Sequence, residues 1–196
     1  MTSDAVLFAG VRISPGRKPV TFAALDEGLN VVLLSQWDIA AVVQCLQEHE
    51  RIQLAVHSAV SRTGQVLYDD FRWQISQLGF HPYATRDGSR LWVEAMADRS
   101  YRVFQPNLFA RQSLEGRLQR ALILYEEGLQ IPDPMDFFEE ITRHKLLQGV
   151  LPAENVYTSR QLDALVMAYV AWMAGSLDEN PGARNQSLLP KFIAAD

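Results

Sequence analysis

Apolar residues run almost without interruption from Val6 to Ile13 and stop at Ser14-Pro15-Gly16, the pattern of a buried strand entering a turn. Pro19 to Leu25, Asp26-Glu27-Gly28-Leu29 and Asn30 to Ser35 then read as a hairpin, with Gly28 free to take a positive φ. Three successive strands are therefore expected at the start of the chain. From Asp38 the spacing changes: Ile39, Val42, Val43 and Leu46 fall at helical intervals, predicting an amphipathic helix over Trp37 to Glu50 that leads into a strand at Ile52 to His57. A second helical stripe, Val66, Leu67, Phe71, Ile75 and Leu78, can end at Gly79. After the turn Asp87-Gly88-Ser89, Leu91 to Met96 reads as a short strand. The remainder is helical: Leu114 to Glu127 ending at Gly128, Pro134 to Gln148 capped by Asp133, and Ser159 to Ser176.

This order predicts an α/β fold, a mixed sheet flanked by helices on both faces with a helical C-terminal half. Residues 1–177 are expected to form one domain. Residues 178–196, with Asn180-Pro181-Gly182, form a polar and partly irregular segment expected to be loosely held in part.

Composition narrows the class. A chain of 196 residues, 48% hydrophobic, has enough apolar side chains for one substantial core. The net charge of -5 gives no overall attraction to nucleic acid or an anionic membrane, so any such binding needs a local basic patch. Cys45 is the only cysteine, which excludes an internal disulfide and argues against structural zinc. The acidic start Met1-Thr2-Ser3-Asp4 lacks a secretory pattern, and no stretch reaches the length of a membrane span. The expectation is a soluble, cytoplasmic protein with no membrane partner.

Familiar chemistry-bearing motifs are missing. The sequence has no phosphate-cradling glycine loop, no dinucleotide fingerprint, no Gly-x-Ser-x-Gly elbow and no His-Glu-x-x-His. His49, His57, His81 and His144 are scattered, none at metal-ligand spacing from another histidine or cysteine. Adjacent acids such as Asp69-Asp70, Glu126-Glu127 and Glu139-Glu140 diverge on a helix and read as solvated faces. Arg17-Lys18 and the pair Arg86 and Arg90 fall in expected loops where they could touch phosphate, although ordinary surface charge explains them more simply. Trp37, Trp73, Trp92 and Trp172 sit in apolar patterns suited to packing.

Five strings in order carry a resemblance. Ala9-Gly10-Val11-Arg12-Ile13 is similar to a Gly-Val-Asp opening strand, Leu54-Ala55-Val56-His57-Ser58-Ala59 to an Ile-Asp-Ala-Pro strand end, and Trp92-Val93-Glu94 to a Val-Glu strand. Leu114-Glu115-Gly116-Arg117 with Arg120 and Leu124 is similar to a Glu-Gly-Arg helix. Leu162-Asp163-Ala164-Leu165-Val166-Met167-Ala168-Tyr169 with Ala171-Trp172 matches an Asp-Ala-Leu helix most closely. Together they resemble the domain of unknown function 429 family, described as predicted nucleases of the ribonuclease H-like fold.

The resemblance implies phosphodiester hydrolysis by divalent Mg²⁺ or Mn²⁺ held by acids from several strands and the last helix. Such ions take hard oxygen ligands, and two cations close together require surrounding negative charge. Carried over residue by residue, Glu94 and Asp163 keep acids and are the implied metal ligands. The first-strand position is Arg12, the second strand end is His57, and a further acidic position is Arg160. A guanidinium cannot ligate a metal and repels one, so Arg12 argues against a two-metal site and suggests pairing with Glu94 or Asp163 in place of a cation. Three functional readings follow. The first is a degenerate site, impaired in catalysis and acting in binding to a nucleic acid, a nucleotide or another protein, with no metal cofactor. The alternative is an active phosphodiesterase in which Glu94, Asp163 and His57 hold one metal and Arg12 clamps phosphate. The last is a structural or assembly protein whose helices from Leu114 onward cover a partner or a second copy in a homo-oligomer.

Overall fold

The protein is described by a computed structural model covering residues 6–57, 62–83, 90–140, 146–149 and 156–179, together with Phe192. Three N-terminal strands, β1 (Leu7–Ile13), β2 (Val20–Leu25) and β3 (Val31–Trp37), pair antiparallel as a meander. Helix α1 (Ile39–Gln47) follows, its first turn closed by Asp38, whose carboxylate accepts the Ala41 amide at 2.8 Å. Strand β4 (Ile52–His57) returns parallel to β1, and helix α2 (Arg62–Gln77) crosses to a two-residue strand β5 (His81–Pro82) and to β6 (Arg90–Ala95). The strand order is β3-β2-β1-β4-β6-β5, with β4, β6 and β5 parallel. The mixed α/β sheet is as the sequence predicts.

Two cores lie on its two faces. Ala9, Val11 and Ile13 of β1 and Leu54 and Val56 of β4 meet Val42 and Leu46 of α1 and Tyr68, Phe71 and Ile75 of α2. Phe8 of β1, Ala55 of β4, and Leu91, Val93 and Ala95 of β6 face the opposite side. There they meet α3 (Ala97–Phe104), α4 (Leu114–Glu126) and the long α7 (Ser159–Glu179), which lies across β1, β2 and β4. From Leu162 to Ala171 every residue of α7 is buried. It lies so near the sheet at Gly10 that a Cβ there would overlap the Ala164 carbonyl and the Ala168 amide. Only glycine admits the backbone of α7 at that point.

Several expectations change. The positive φ of the β2–β3 turn falls on Leu29, at 61°, and not on Gly28. Burial of the Leu29 side chain and the Asp26 carboxylate bound to the Asn30 amide at 2.9 Å hold that conformation. Gly79 and Gly128 do take positive φ at the ends of α2 and α4, as expected. Helix α3, unassigned by periodicity, buries only Ala97, Ser100 and Tyr101 and starts directly after β6. The helix expected over Pro134 to Gln148 is seen as α5 (Asp136–Glu140) and α6 (Leu146–Gln148), with 141–145 outside the described residues, as is the turn at Asp87. Helix α7 extends past Ser176 to Glu179, and Phe192, from the segment expected to be polar, is buried against Phe104. Trp73 is exposed on α2, whereas Trp37 stacks on Phe22 and Trp172 packs on Tyr169. Among the described residues no helix is long and apolar enough to cross a membrane.

Candidate functional site

Parallel pairing sets Arg12 of β1 beside His57 of β4. Side chains of paired residues share a face, so both project toward α7 at the carboxyl ends of their strands. Asp163, in the second turn of α7, comes down onto them. Arg12 Nε donates to Asp163 Oδ2 at 3.0 Å, and Arg12 Nη1 donates to the Ile13 carbonyl. His57 Nε2 lies 4.0 Å from the same carboxylate oxygen. The expected pairing of Arg12 with an acid is present, and the acid is Asp163.

A residue that sequence reasoning missed completes the cluster. Arg111, in the loop between α3 and α4, holds Asp163 side-on: Nε donates to Oδ1 at 3.3 Å and Nη2 donates to Oδ2. The loop is held from several sides. Ser159 Oγ donates to the Arg111 carbonyl at 2.9 Å. Ser113 caps α4 by accepting the Gly116 amide, and the buried Arg120 donates to the carbonyls of Phe109 at 3.2 Å and Gly116 at 3.0 Å. Arg120 also pairs with Asp98 at 3.1 Å and lies over the Tyr101 ring, which ties the loop to α3. Tyr101 in turn donates to the Leu162 carbonyl at 2.8 Å, fixing the backbone beside Asp163.

The electrostatics follow from burial. The Asp163 side chain is 0% exposed, that of His57 8%, that of Arg12 13% and that of Arg111 29%. Burial raises the Asp163 carboxyl above its usual value, and the guanidiniums of Arg111 and Arg12 partly offset it. Burial lowers Arg12, as do the like charges of Arg111 and Arg160, while Asp163 pulls it back up. Two guanidiniums, those of Arg12 and Arg111, thus hold one carboxylate, and Arg160 adds a further positive charge close enough to act on Arg12, in a chain whose net charge is -5.

Glu94 is not part of this cluster. It pairs with Val56, which pairs with Val11, and all three project to the sheet face opposite α7. There Glu94 lies near Tyr68, whose phenol is raised well above its usual value by burial first and then by the Glu94 carboxylate. Arg72 covers the rings of Tyr68 and Trp92 on that side. The metal pair Glu94 and Asp163 inferred from sequence is therefore split by the sheet. The one-metal arrangement that adds His57 fails for the same reason.

The residues present do not fit a divalent cation. Among the described residues Asp163 is the one acid paired with Arg12, its oxygens accept from guanidinium donors, and a cation there would meet fixed positive charge. Among the described residues no group of three or more histidine, cysteine or acidic side chains could hold a metal. What the arrangement can do is attract an anion.

Other sequence candidates separate from the site. Arg90 is held by the carbonyls of Leu78 at 2.8 Å and His49 at 2.8 Å, at the far end of the sheet, and Arg86 lies outside the described residues. Arg17 and Lys18 are exposed in the turn that follows β1. Arg160 is exposed at the start of α7. No protein-family model matches the chain, and no curated protein matches it.

Proposed function

We propose that this chain is a ribonuclease H-like scaffold whose metal-dependent cutting has been lost and whose strand-end site binds a phosphate-bearing ligand, a nucleic acid or a nucleotide. The antiparallel meander followed by alternating helices and parallel strands supports the fold assignment. Ligands of open α/β sheets sit outside the carboxyl ends of the parallel strands, where Arg12 and His57 lie. One observation carries the functional reading: Asp163 is bound by Arg12 and Arg111 where a nuclease of this layout needs a cation. Charge-assisted, side-on guanidinium pairs are strong and oriented, and three such donors already occupy the two Asp163 oxygens.

The test is direct. The protein is incubated with single- and double-stranded DNA and RNA in Mg²⁺ or Mn²⁺, and Mn²⁺ binding is titrated by calorimetry. Intact substrates and no stoichiometric metal binding are expected. Cleavage that disappears in Asp163→Asn, with the fold retained, overturns the proposal.

A further inference from the structure

The cluster around Asp163 carries more positive charge than its own acid neutralises, and that surplus has a size. Arg12 and Arg111 on Asp163 leave one positive charge, and Arg160, whose like charge acts on Arg12 from the start of α7, brings the local surplus to two. The donors are not exhausted either. Among the described residues neither Arg12 Nη2 nor Arg111 Nη1 has an acceptor, and Arg160 makes no ion pair. Arg111 is the most solvent-accessible of the groups touching Asp163, so one of its donors can reach a ligand while the side-on contact persists.

We infer that this cluster is a metal-independent site for a terminal phosphomonoester, with Arg12 and Arg111 as its phosphate donors and Arg160 as the outer cation. The inference deepens, and rests on, the reading of the site as a phosphate binder. The choice of a monoester over an internal diester is set by charge. A phosphomonoester carries about −1.5 to −2 near neutral pH and so matches the surplus, whereas a diester carries a single charge and leaves one guanidinium uncompensated beside the buried Arg12. Guanidinium is also suited to the task by shape, since its planar fork meets two phosphoryl oxygens at once. Asp163 then acts as the spacer that keeps two like-charged guanidiniums side by side. Two sources present this chemistry, a free mononucleotide and the phosphorylated end of a strand.

Calorimetry in EDTA with adenosine 5′-monophosphate, adenosine, inorganic phosphate, and one oligonucleotide bearing either a 5′-phosphate or a 5′-hydroxyl separates them. Adenosine 5′-monophosphate should bind at least about tenfold more tightly than adenosine, the value of one charge-assisted hydrogen bond. A comparable preference for the 5′-phosphorylated strand over its hydroxyl form identifies the strand end as the source. Preference confined to the mononucleotide identifies the nucleotide. Arg111→Gln should weaken phosphate binding about ten- to hundredfold. Arg160→Gln, an exposed change that leaves the core untouched, should weaken it roughly two- to fivefold. Equal binding of phosphorylated and unphosphorylated probes overturns the inference, as does unchanged affinity in Arg160→Gln together with an Arg111→Gln protein that either binds normally or does not fold. Cleavage of the oligonucleotide when Mg²⁺ replaces EDTA would instead overturn the proposed function, so the two failures are distinct.

Discussion

Replacing Gly10 by alanine adds one methyl group at the point where α7 crosses the sheet. A Cβ there falls 2.9 Å from the Met167 carbonyl carbon and closer still to the Ala164 carbonyl oxygen and the Ala168 amide nitrogen. All three are backbone atoms of a helix buried from Leu162 to Ala171, so no side-chain rotation relieves the overlap. Restoring ordinary contact requires α7 to move by on the order of 1 Å, and a gap of that size forfeits a quarter to a half of the dispersion attraction at the surfaces it opens. Overpacking costs about 1 to 3 kcal/mol when side chains can adjust, so the upper value, about 3 kcal/mol, applies where they cannot. In a chain of 196 residues that corresponds to a fall in Tm of roughly 6 to 12 °C. Asp163 adjoins Ala164, so the same displacement also loosens the 3.0 Å Arg12 contact. Thermal unfolding followed by circular dichroism reads the first effect and phosphate titration the second. A Gly10→Ala protein that melts within about 2 °C of the parent refutes the close approach of α7 to β1 and the stability reasoning with it.

Gly28→Ala should change stability by no more than about 1 kcal/mol in chemical denaturation, because the left-handed residue of that turn is Leu29 and the added Cβ, 3.1 Å from Asn30 Nδ2, asks only that exposed side chain to shift. Asp163→Ala should cost about 3 kcal/mol by the same measurement. It strands Arg12 beside Arg111 without their shared anion, and the partial exposure of Arg111 keeps the loss at the low end for a broken buried pair. Tyr101 and Tyr68 are raised in the folded state, both chiefly by burial, then by Asp163 and Glu94 respectively. Their neutral forms contribute stability that is complete below the unfolded tyrosine value of about 10 and is lost as pH rises above it. Urea midpoints measured from pH 8 upward should therefore fall beyond about pH 10, and Tyr101→Phe should fall less steeply; a midpoint independent of pH across that range contradicts the burial of both phenols.

The sheet and most of its helices were legible in the sequence because each leaves a mark in local pattern, whereas the pairing of Arg12 with Glu94 or Asp163 was expected only from the family resemblance. The meander has its apolar runs and turn residues, and Asp163 interrupts a helix that is otherwise apolar from Leu162 to Ala171. The error at Glu94 comes from what such patterns lose. β6 does alternate, Leu91, Val93 and Ala95 against Arg90, Trp92 and Glu94, but β4 is apolar on both faces, so nothing local says which face of β6 lies on the side of Arg12 and His57. Only the pairing register, Arg12 with His57 and Val56 with Glu94, shows that two residues at neighbouring strand ends point in opposite directions.

Arg111 was hidden by a different cause. It lies in a stretch without helical or strand periodicity, and its position depends on contacts from Ser159 and Arg120, 48 residues after it and nine residues after it respectively, that no local spacing encodes. That residue changes the chemistry most. With Arg12 alone, Asp163 would be a neutralised pair able to exchange its partner for a metal; with Arg111 gripping both carboxylate oxygens and Arg160 nearby, the balance is positive and the favoured visitor is an anion. In the proposed reading, the step from a metal-binding site to a phosphate-binding one therefore depends on a loop arginine brought in by tertiary packing, acting with Arg12 on a single buried carboxylate.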